Sequence, residues 1–272
     1  MNYKTDAYLI TCLTNMHVGS GEANYGVVDN LVQRDPITDI PIIHSSSLKG
    51  ALREYFTEEW KSIPDKDKLN YIFGPDTSRD PGTQSGIGHY KFFDANLIVL
   101  PVRSNIKPFF RATSKFLLDD INEKAKLLRI QNFNINTING SDAVKGKAKI
   151  LNGSNGCVLE DTETEPGLSL LQGVVNNLGD NPALFHEDDF KELTKHLPVI
   201  ARNQLENGQS QNLFYEEVVP RESRFVFFVS KPKENGTVLY ETEFDTSISN
   251  SVIQIGGNAS IGYGYTKIKK LS

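Results

Sequence analysis

Hydrophobic residues recur along this chain with two different periods, and the switch from one to the other marks out its elements. AYLITCLT (7–14) is short, apolar and rich in branched side chains, which predicts a strand. HYKFFDANLIVLPVRS (89–104), the aromatic RFVFFVSK (224–231) and TVLYETEF (237–244) predict three more strands. A helical period governs IPIIHSSSLKGALREYFTEEW (40–60), where Leu48, Ala51, Leu52, Tyr55 and Phe56 recur at i, i+3, i+4, i+7 and i+8 as one buried stripe. The hydroxyls of Ser45, Ser46 and Ser47 can accept from the free N–H groups at its start. SKFLLDDINEKAKLLRI (114–130) predicts an amphipathic helix. HEDDFKELTKHL (186–197) predicts another, with its early acids at the positive helix end.

The remaining segments are punctuated by Gly and polar residues. HVGSGEANYGVVDNLVQRD (17–35) reads as a long loop with a short strand near Val27 and Val28. Residues 75–88 read as a loop, 132–157 as a polar, Asn-rich mobile excursion, and 156–166 as holding a strand. In 199–220, Asn207-Gly208 lies between extended arms, the signature of a tight hairpin turn. The segment 252–269 gives two short strands around a Gly-rich turn. Helices and strands mix without strict alternation, so an α+β sheet domain is expected, with no internal repeat and no clean boundary.

Composition narrows the function classes. With 38% hydrophobic and 23% charged residues the chain is expected to fold, and it holds no apolar run long enough to span a membrane. Its N-terminus does not read as a signal peptide, so a cytoplasmic location is expected. The two cysteines, Cys12 and Cys157, are too few for a Cys-rich metal site; Cys12 reads as a buried thiol, with a single disulfide as the alternative. A net charge of −5 disfavours nucleic-acid binding unless a local basic face supplies it.

Candidate chemistry is sparse when each motif stands alone. GSGEANYG (19–26) lacks the third glycine of a dinucleotide loop, and there is no phosphate-binding GxxxxGK[ST]. GGNASIGYG (256–264) is either a plain hairpin loop or a glycine surface whose N–H groups face phosphates. Lys49 and Arg53 share one helix face, either solvated or a phosphate-binding ridge. The five His form no HExxH or HxH pair. Glu216 and Glu217, adjacent in a predicted strand, point to opposite faces, so at most one can share a site with Asp29.

Five segments in register carry a resemblance: LTNMHVGSGEANYGVVDNLVQRD, PIIHSSSLKGALREYF, FFDANLIVLPVRS, LPVIARNQLENGQSQNLFYEEVVPRES and IQIGGNASIGYGY. Together, from about residue 7 to 268, they resemble the backbone nuclease subunits of type III-B CRISPR (Cmr) complexes, in the RAMP superfamily. The resemblance implies a single domain over 1–272 with a ferredoxin-like, RRM-like palm (about 1–60, 89–130 and 220–272). It also implies inserted fingers (about 61–88 and 131–185) and a β-hairpin thumb (about 199–217) tipped by Asn207 and Gly208. Copies would stack in a helical filament with other Cmr subunits, bind guide RNA, and cut complementary target RNA at regular intervals by 2′-OH attack assisted by Mg or Mn. Asp29, in the GVVD element, would be the essential acid and transient metal ligand, with His17, Tyr215, Glu216 and Glu217 nearby. RNA contacts would come from Ser47, Lys49, Arg53, Arg34 and Arg103, and from Gly256, Gly257, Gly262 and Gly264. The rival functions are a non-catalytic guide-binding scaffold of the same fold and a metal-independent CRISPR repeat-processing endoribonuclease.

Overall fold

A computed structural model describes residues 3–272 apart from 22–25, 61–65, 77–85, 132, 134, 136–137, 140–141, 152–155, 171–176, 207–208 and 250. The order of principal elements is β1 (Tyr3–Cys12), α1 (Ser45–Glu59), α2 (Lys66–Phe73), β2 (Ala95–Arg103), β3 (Phe109–Ser114), α3 (Lys115–Leu127), β4 (Lys147–Ile150), β5 (Thr162–Pro166), β6 (Pro182–Phe185), α4 (Glu187–Lys195), β7 (Val199–Glu206), β8 (Gln209–Glu217), β9 (Arg224–Glu234), α5 (Glu241–Ile248), β10 (Val252–Gln254) and β11 (Tyr265–Lys270). Among the described residues no helix is long and apolar enough to cross a membrane.

The aromatic stretch at 224–231 becomes β9, at the centre of a mixed 13-stranded sheet whose path runs β10-β11-β1-β9-β2-β3-β6-β4-β5. Its side chains alternate between two cores: Phe225 and Phe227 join one cluster, Val226 and Phe228 the other. Both faces are covered, so the strand reads as a continuous apolar run. β1 divides the same way, with Tyr8 and Ile10 on one side and Ala7 and Leu9 on the other. On the first face lie α1, through Leu48, Leu52 and Phe56, and α5, through Phe244 and Ile248; α3 covers the second through Leu118, Ile121 and Ala125. Phe56 stacks on Phe244 with centroids 5.1 Å apart, and truncating such a ring to Ala costs about 3–5 kcal/mol.

Four strands form an antiparallel unit in the order β11-β1-β9-β2, with α1 following β1 and α5 following β9. Beyond β2 the sheet continues through β3 and a parallel β3–β6 pair. β7 and β8 pair with each other as a separate two-stranded ribbon, in register from Val199↔Glu217 to Glu206↔Gln209 with an irregularity at Gln204/Leu205, and Asn30 bridges to Glu216 on β8. The predicted arms are present, while the turn signal Asn207-Gly208 lies outside the described residues.

Several expectations need correction. TVLYETEF is not a strand: only Thr237–Val238 pairs, and Tyr240 at φ 60° turns the chain into α5. The segment shows no helical stripe of its own because the helix's inward residues, Phe244 and Ile248, sit at its end and beyond it. Val27 and Val28 form no strand, and Val27 is exposed. The segment 132–157 is not merely a polar excursion, since β4 lies between β6 and β5 with Ala148 and Ile150 buried. The single strand expected in 156–166 is a tight pair, Val158–Leu159 against Thr162–Pro166. The serines do not cap α1: its N-cap is His44, and the Ser45 N–H donates to Asp94 at 2.6 Å. Cys12 and Cys157 are both buried and free; burial, helped by Glu222, pushes the Cys12 thiol up to about 12.

Candidate functional site

The root of the β7–β8 ribbon is where the chain gathers its candidate chemistry. The segment after Gly26 lies along the outer edge of β8. Asp29 N–H donates to the Tyr215 carbonyl at 3.0 Å, and the Tyr215 N–H returns a 2.7 Å bond to Asp29 Oδ2. Asn30 then accepts from the Glu217 N–H at 2.9 Å. The exposed Asp29 carboxylate thus extends the strand's ladder, and among the described residues its second oxygen accepts no hydrogen bond.

Glu216 and Glu217 are both buried and face opposite ways. Glu217 braces the loop: Oε2 accepts from the Val32 N–H at 3.1 Å and Oε1 from Arg34 Nη2 at 2.6 Å. Arg34 also donates to the carbonyls of Asp39 and Thr194, so this predicted RNA contact is committed inside the protein. Glu216 meets a different set. Arg202 Nε donates to its Oε2 at 2.7 Å, Asn258 Nδ2 reaches both oxygens at 2.9 and 3.0 Å, and His17 Nε2 lies 3.7 Å from Oε1. His17 Nδ1 sits 2.7 Å from the Glu217 carbonyl. A carbonyl only accepts, so Nδ1 carries a proton and Nε2 is the ring atom left to exchange one. Of the two glutamates, Glu216 shares space with His17.

The glycine loop is stapled to the His17 segment. Gly257 N–H donates to the His17 carbonyl at 2.9 Å, and Gly264 N–H to the Asn15 carbonyl at 2.8 Å. Gly256 (φ +89°) passes so close that a Cβ would lie 2.3 Å from the His17 carbonyl oxygen. Two of the four glycines expected to face RNA therefore direct their N–H groups inward; Gly262 (φ +83°) borders open space.

The other predicted contacts lie on α1 and β2. Ser47 Oγ is bonded to Gln33, whose amide also joins the Gly19 carbonyl and the His44 N–H. Arg53 donates to the Gly74 carbonyl, with Asp76 3.8 Å away. Half-buried Lys49 makes no hydrogen bond or ion pair among the described residues. Burial, with repulsion from Arg53 and Lys91, lowers its pKa. Exposed Arg103 forms a two-pronged pair with Glu160 on the rim of a separate groove floored by Val102 and Leu197.

A second carboxylate cluster looks like a metal centre: Asp6, Glu241 and Asp245 present oxygens within 4.8 Å of one another. Its middle is filled by the Lys231 ammonium, fully buried, 2.7 Å from Asp6, 2.6 Å from Asp245 and 3.6 Å from Glu241. Lys231 also lies over the Tyr8, Tyr90 and Phe244 rings. This is an ion-pair network with its cation supplied by the chain.

A family model described as the RAMP superfamily matches residues 9–267. The chain belongs to the RAMP superfamily. This RAMP chain is 29% identical to the CRISPR system Cmr endoribonuclease Cmr4 of Pyrococcus furiosus, over 96% of this chain and 95% of that protein. A shorter match, 39% identical over 22% of this chain and 31% of its partner, is to the CRISPR system Cms endoribonuclease Csm3 of Streptococcus thermophilus. A chain of a type III-B Cmr-beta complex bound to cognate target RNA superposes with a TM-score of 0.78 at 19% identity, over 98% of this chain and 97% of that one. Oligomeric Cmr4 from Pyrococcus furiosus superposes with a TM-score of 0.70 at 22% identity, over 98% and 99%. Similarity of sequence carries the family, and the superpositions carry the RAMP fold.

Arg202, Asn258 and Gln33 escaped the sequence reading. Arg202 meets Glu216 across the ribbon and Asn258 meets it from 42 residues away. No local spacing announces either contact. Arg202 alone had a usable signal, a cation on an arm that was expected to pair with the YEE element.

Proposed function

We propose that this RAMP chain is a repeating backbone subunit of a type III-B CRISPR ribonucleoprotein that binds guide RNA and cuts complementary target RNA at regular intervals. The observation that carries the reading is the exposed Asp29 carboxylate, held by the Tyr215 N–H at the root of a ribbon that, among the described residues, pairs with no other strand. Near full-length similarity to a Cmr endoribonuclease supports it. The β11-β1-β9-β2 unit with its two helices has the order of a ferredoxin-like palm, and the β7–β8 ribbon is the thumb. Other copies of this chain, further Cmr subunits, guide RNA and target RNA are its partners.

In this chemistry the target's 2′-oxygen bonds to phosphorus as the bond to the 5′-oxygen breaks, leaving a 2′,3′-cyclic phosphate and a 5′-hydroxyl. One proton leaves the 2′-OH and one reaches the 5′-oxygen. The thumb strains the backbone towards in-line geometry, and holding it there lowers the barrier by up to about 7 kcal/mol. Asp29 is the carboxylate beside the scissile phosphate, and His17 Nε2 is poised for proton exchange. A divalent cation, Mg or Mn, fits at Asp29 alone, because Glu216 and Glu217 are each paired with an arginine. Bound there, it would supply Lewis-acid stabilisation of the phosphate. Lys49 faces the guide backbone, while Arg53 holds the turn at Gly74 beside it.

The test is the assembled complex with guide and complementary RNA. The expected outcome is a regular ladder of cuts, lost with a chelator and lost in Asp29→Asn while target binding persists. An intact ladder in Asp29→Asn would sink the role of Asp29. Cutting that ignores the chelator would remove the metal, and no cutting by the wild type would leave a guide-binding scaffold.

A further inference from the structure

The Glu216 carboxylate is shared unevenly, and that asymmetry has a single source. Arg202 Nε and Nη2 both converge on Oε2, at 2.7 and 2.6 Å, leaving Oε1 turned towards His17 Nε2 at 3.7 Å. Arg202 stands on β7, one arm of the ribbon, opposite Phe214. Its guanidinium also lies over the Tyr263 ring, 4.5 Å from the centroid, in the glycine loop. One side chain therefore touches the ribbon root, the buried carboxylate and the loop. Asn258 completes the loop side by donating to both Glu216 oxygens.

We propose that Arg202 is a positioning residue: it fixes which oxygen of Glu216 faces His17, neutralises that carboxylate, and locks the ribbon root to the glycine loop. The inference rests on the nuclease reading above. The surroundings of His17 set its charge balance. Its Nδ1 is bound to the Glu217 carbonyl, whose own carboxylate is paired with Arg34. Its Nε2 faces Glu216 and backs onto Gly19, where even a methyl group would come within 3.0 Å. Among the described residues, Glu216 is the charged group against Nε2, and Arg202 is the cation that compensates it. Without Arg202 a buried carboxylate is left uncompensated 3.7 Å from His17 Nε2.

The experiment compares wild-type, Arg202→Gln and Arg202→Lys chains in assembled complexes, measuring single-turnover cleavage from acid to alkaline pH. Amide exchange of the free chain over 215–217 and 256–264 is measured beside it. Arg202→Gln is expected to cut roughly tenfold more slowly at neutral pH, as is common when a group that orients a site is lost. Its acid limb should move up by about one pH unit, with faster exchange in both segments. Arg202→Lys keeps the charge and loses the fork and the stacking face, so the pH profile should return and the rate only in part. If the wild type cuts and Arg202→Gln shows an unmoved pH profile, the inference falls alone, even if exchange quickens. If the wild type does not cut, the nuclease reading falls and this role with it.

Discussion

Near the start of β1, Lys231 is sealed among Asp6, Asp245 and three aromatic rings; just past its end, Glu216 is shared by Arg202, Asn258 and His17. Both clusters are buried and ionic, yet they are built from different materials. The first lies on regular elements, β1, β9, α5 and β11, and every carboxylate faces an ammonium. The second hangs on a loop, a glycine turn and the foot of a ribbon, and beside it exposed Asp29 has one carboxylate oxygen that, among the described residues, accepts no hydrogen bond. A closed charge network contributes positional certainty. An open one leaves a group to react. Acid count alone would point to the first, where three carboxylates cluster around a lysine that already holds them.

The largest effect is expected at Asp29. Asp29→Asn keeps an oxygen for the Tyr215 N–H but removes the charge, so cleavage should fall by a factor on the order of 10³. Thermal melting should barely move, and a large drop in melting temperature would make Asp29 structural instead. Lys231→Met should show the reverse. Breaking a buried pair while leaving its acids uncompensated costs about 3 kcal/mol or more, read as a lower urea midpoint, while cleavage per folded complex stays near the wild-type rate.

Acid sharpens the contrast further. Burial raises the Asp245 pKa, but the charge and hydrogen bond of Lys231, with bonds from Lys270 and Tyr8, lower it more, and it ends below the usual aspartate range. A carboxyl depressed by folding adds stability that is fully present above its unfolded pKa and lost as pH falls through the folded one. The urea midpoint should therefore decline below about pH 4, and Asp245→Asn should flatten that limb. The smallest effect belongs to α1. Lys49 makes no bond within the described chain, so Lys49→Ala should reduce the salt slope of guide binding by about 0.7. Arg53→Ala should instead loosen the turn at Gly74, to which it is bonded. Equal salt slopes for the two variants would show that both face phosphate.

Much of the frame was legible because it repeats a simple rule. The α1 stripe of Leu48, Leu52 and Phe56 announces itself by period, the aromatic β9 by an unbroken apolar run, and the arms of the ribbon by the turn signal between them. The short strands at Lys147–Ile150 and Pro182–Phe185 do not, since four residues carry too little pattern and depend on neighbours already in the sheet. In the site, the opposite faces of Glu216 and Glu217 follow from strand geometry, whereas their partners do not. Arg34, read as an RNA contact, turned inward because Glu217 and two carbonyls await it. Charge on a loop says that a partner exists, not which side of the surface it lies on.

The ladders of β1 carry a consequence for how this protein is made. One edge runs from Tyr3 opposite Pro232 to Thr11 opposite Arg224, and the other from Tyr8 opposite Lys270 to Cys12 opposite Thr266. β1 therefore waits for strands some two hundred residues further along the chain before either edge is paired. Until then it is an apolar ribbon with two open sides, the kind of segment that recruits stray strands. Pairings this distant in sequence also form slowly. Completion of this sheet is therefore set by the arrival of β9 and β11 rather than by β1 itself.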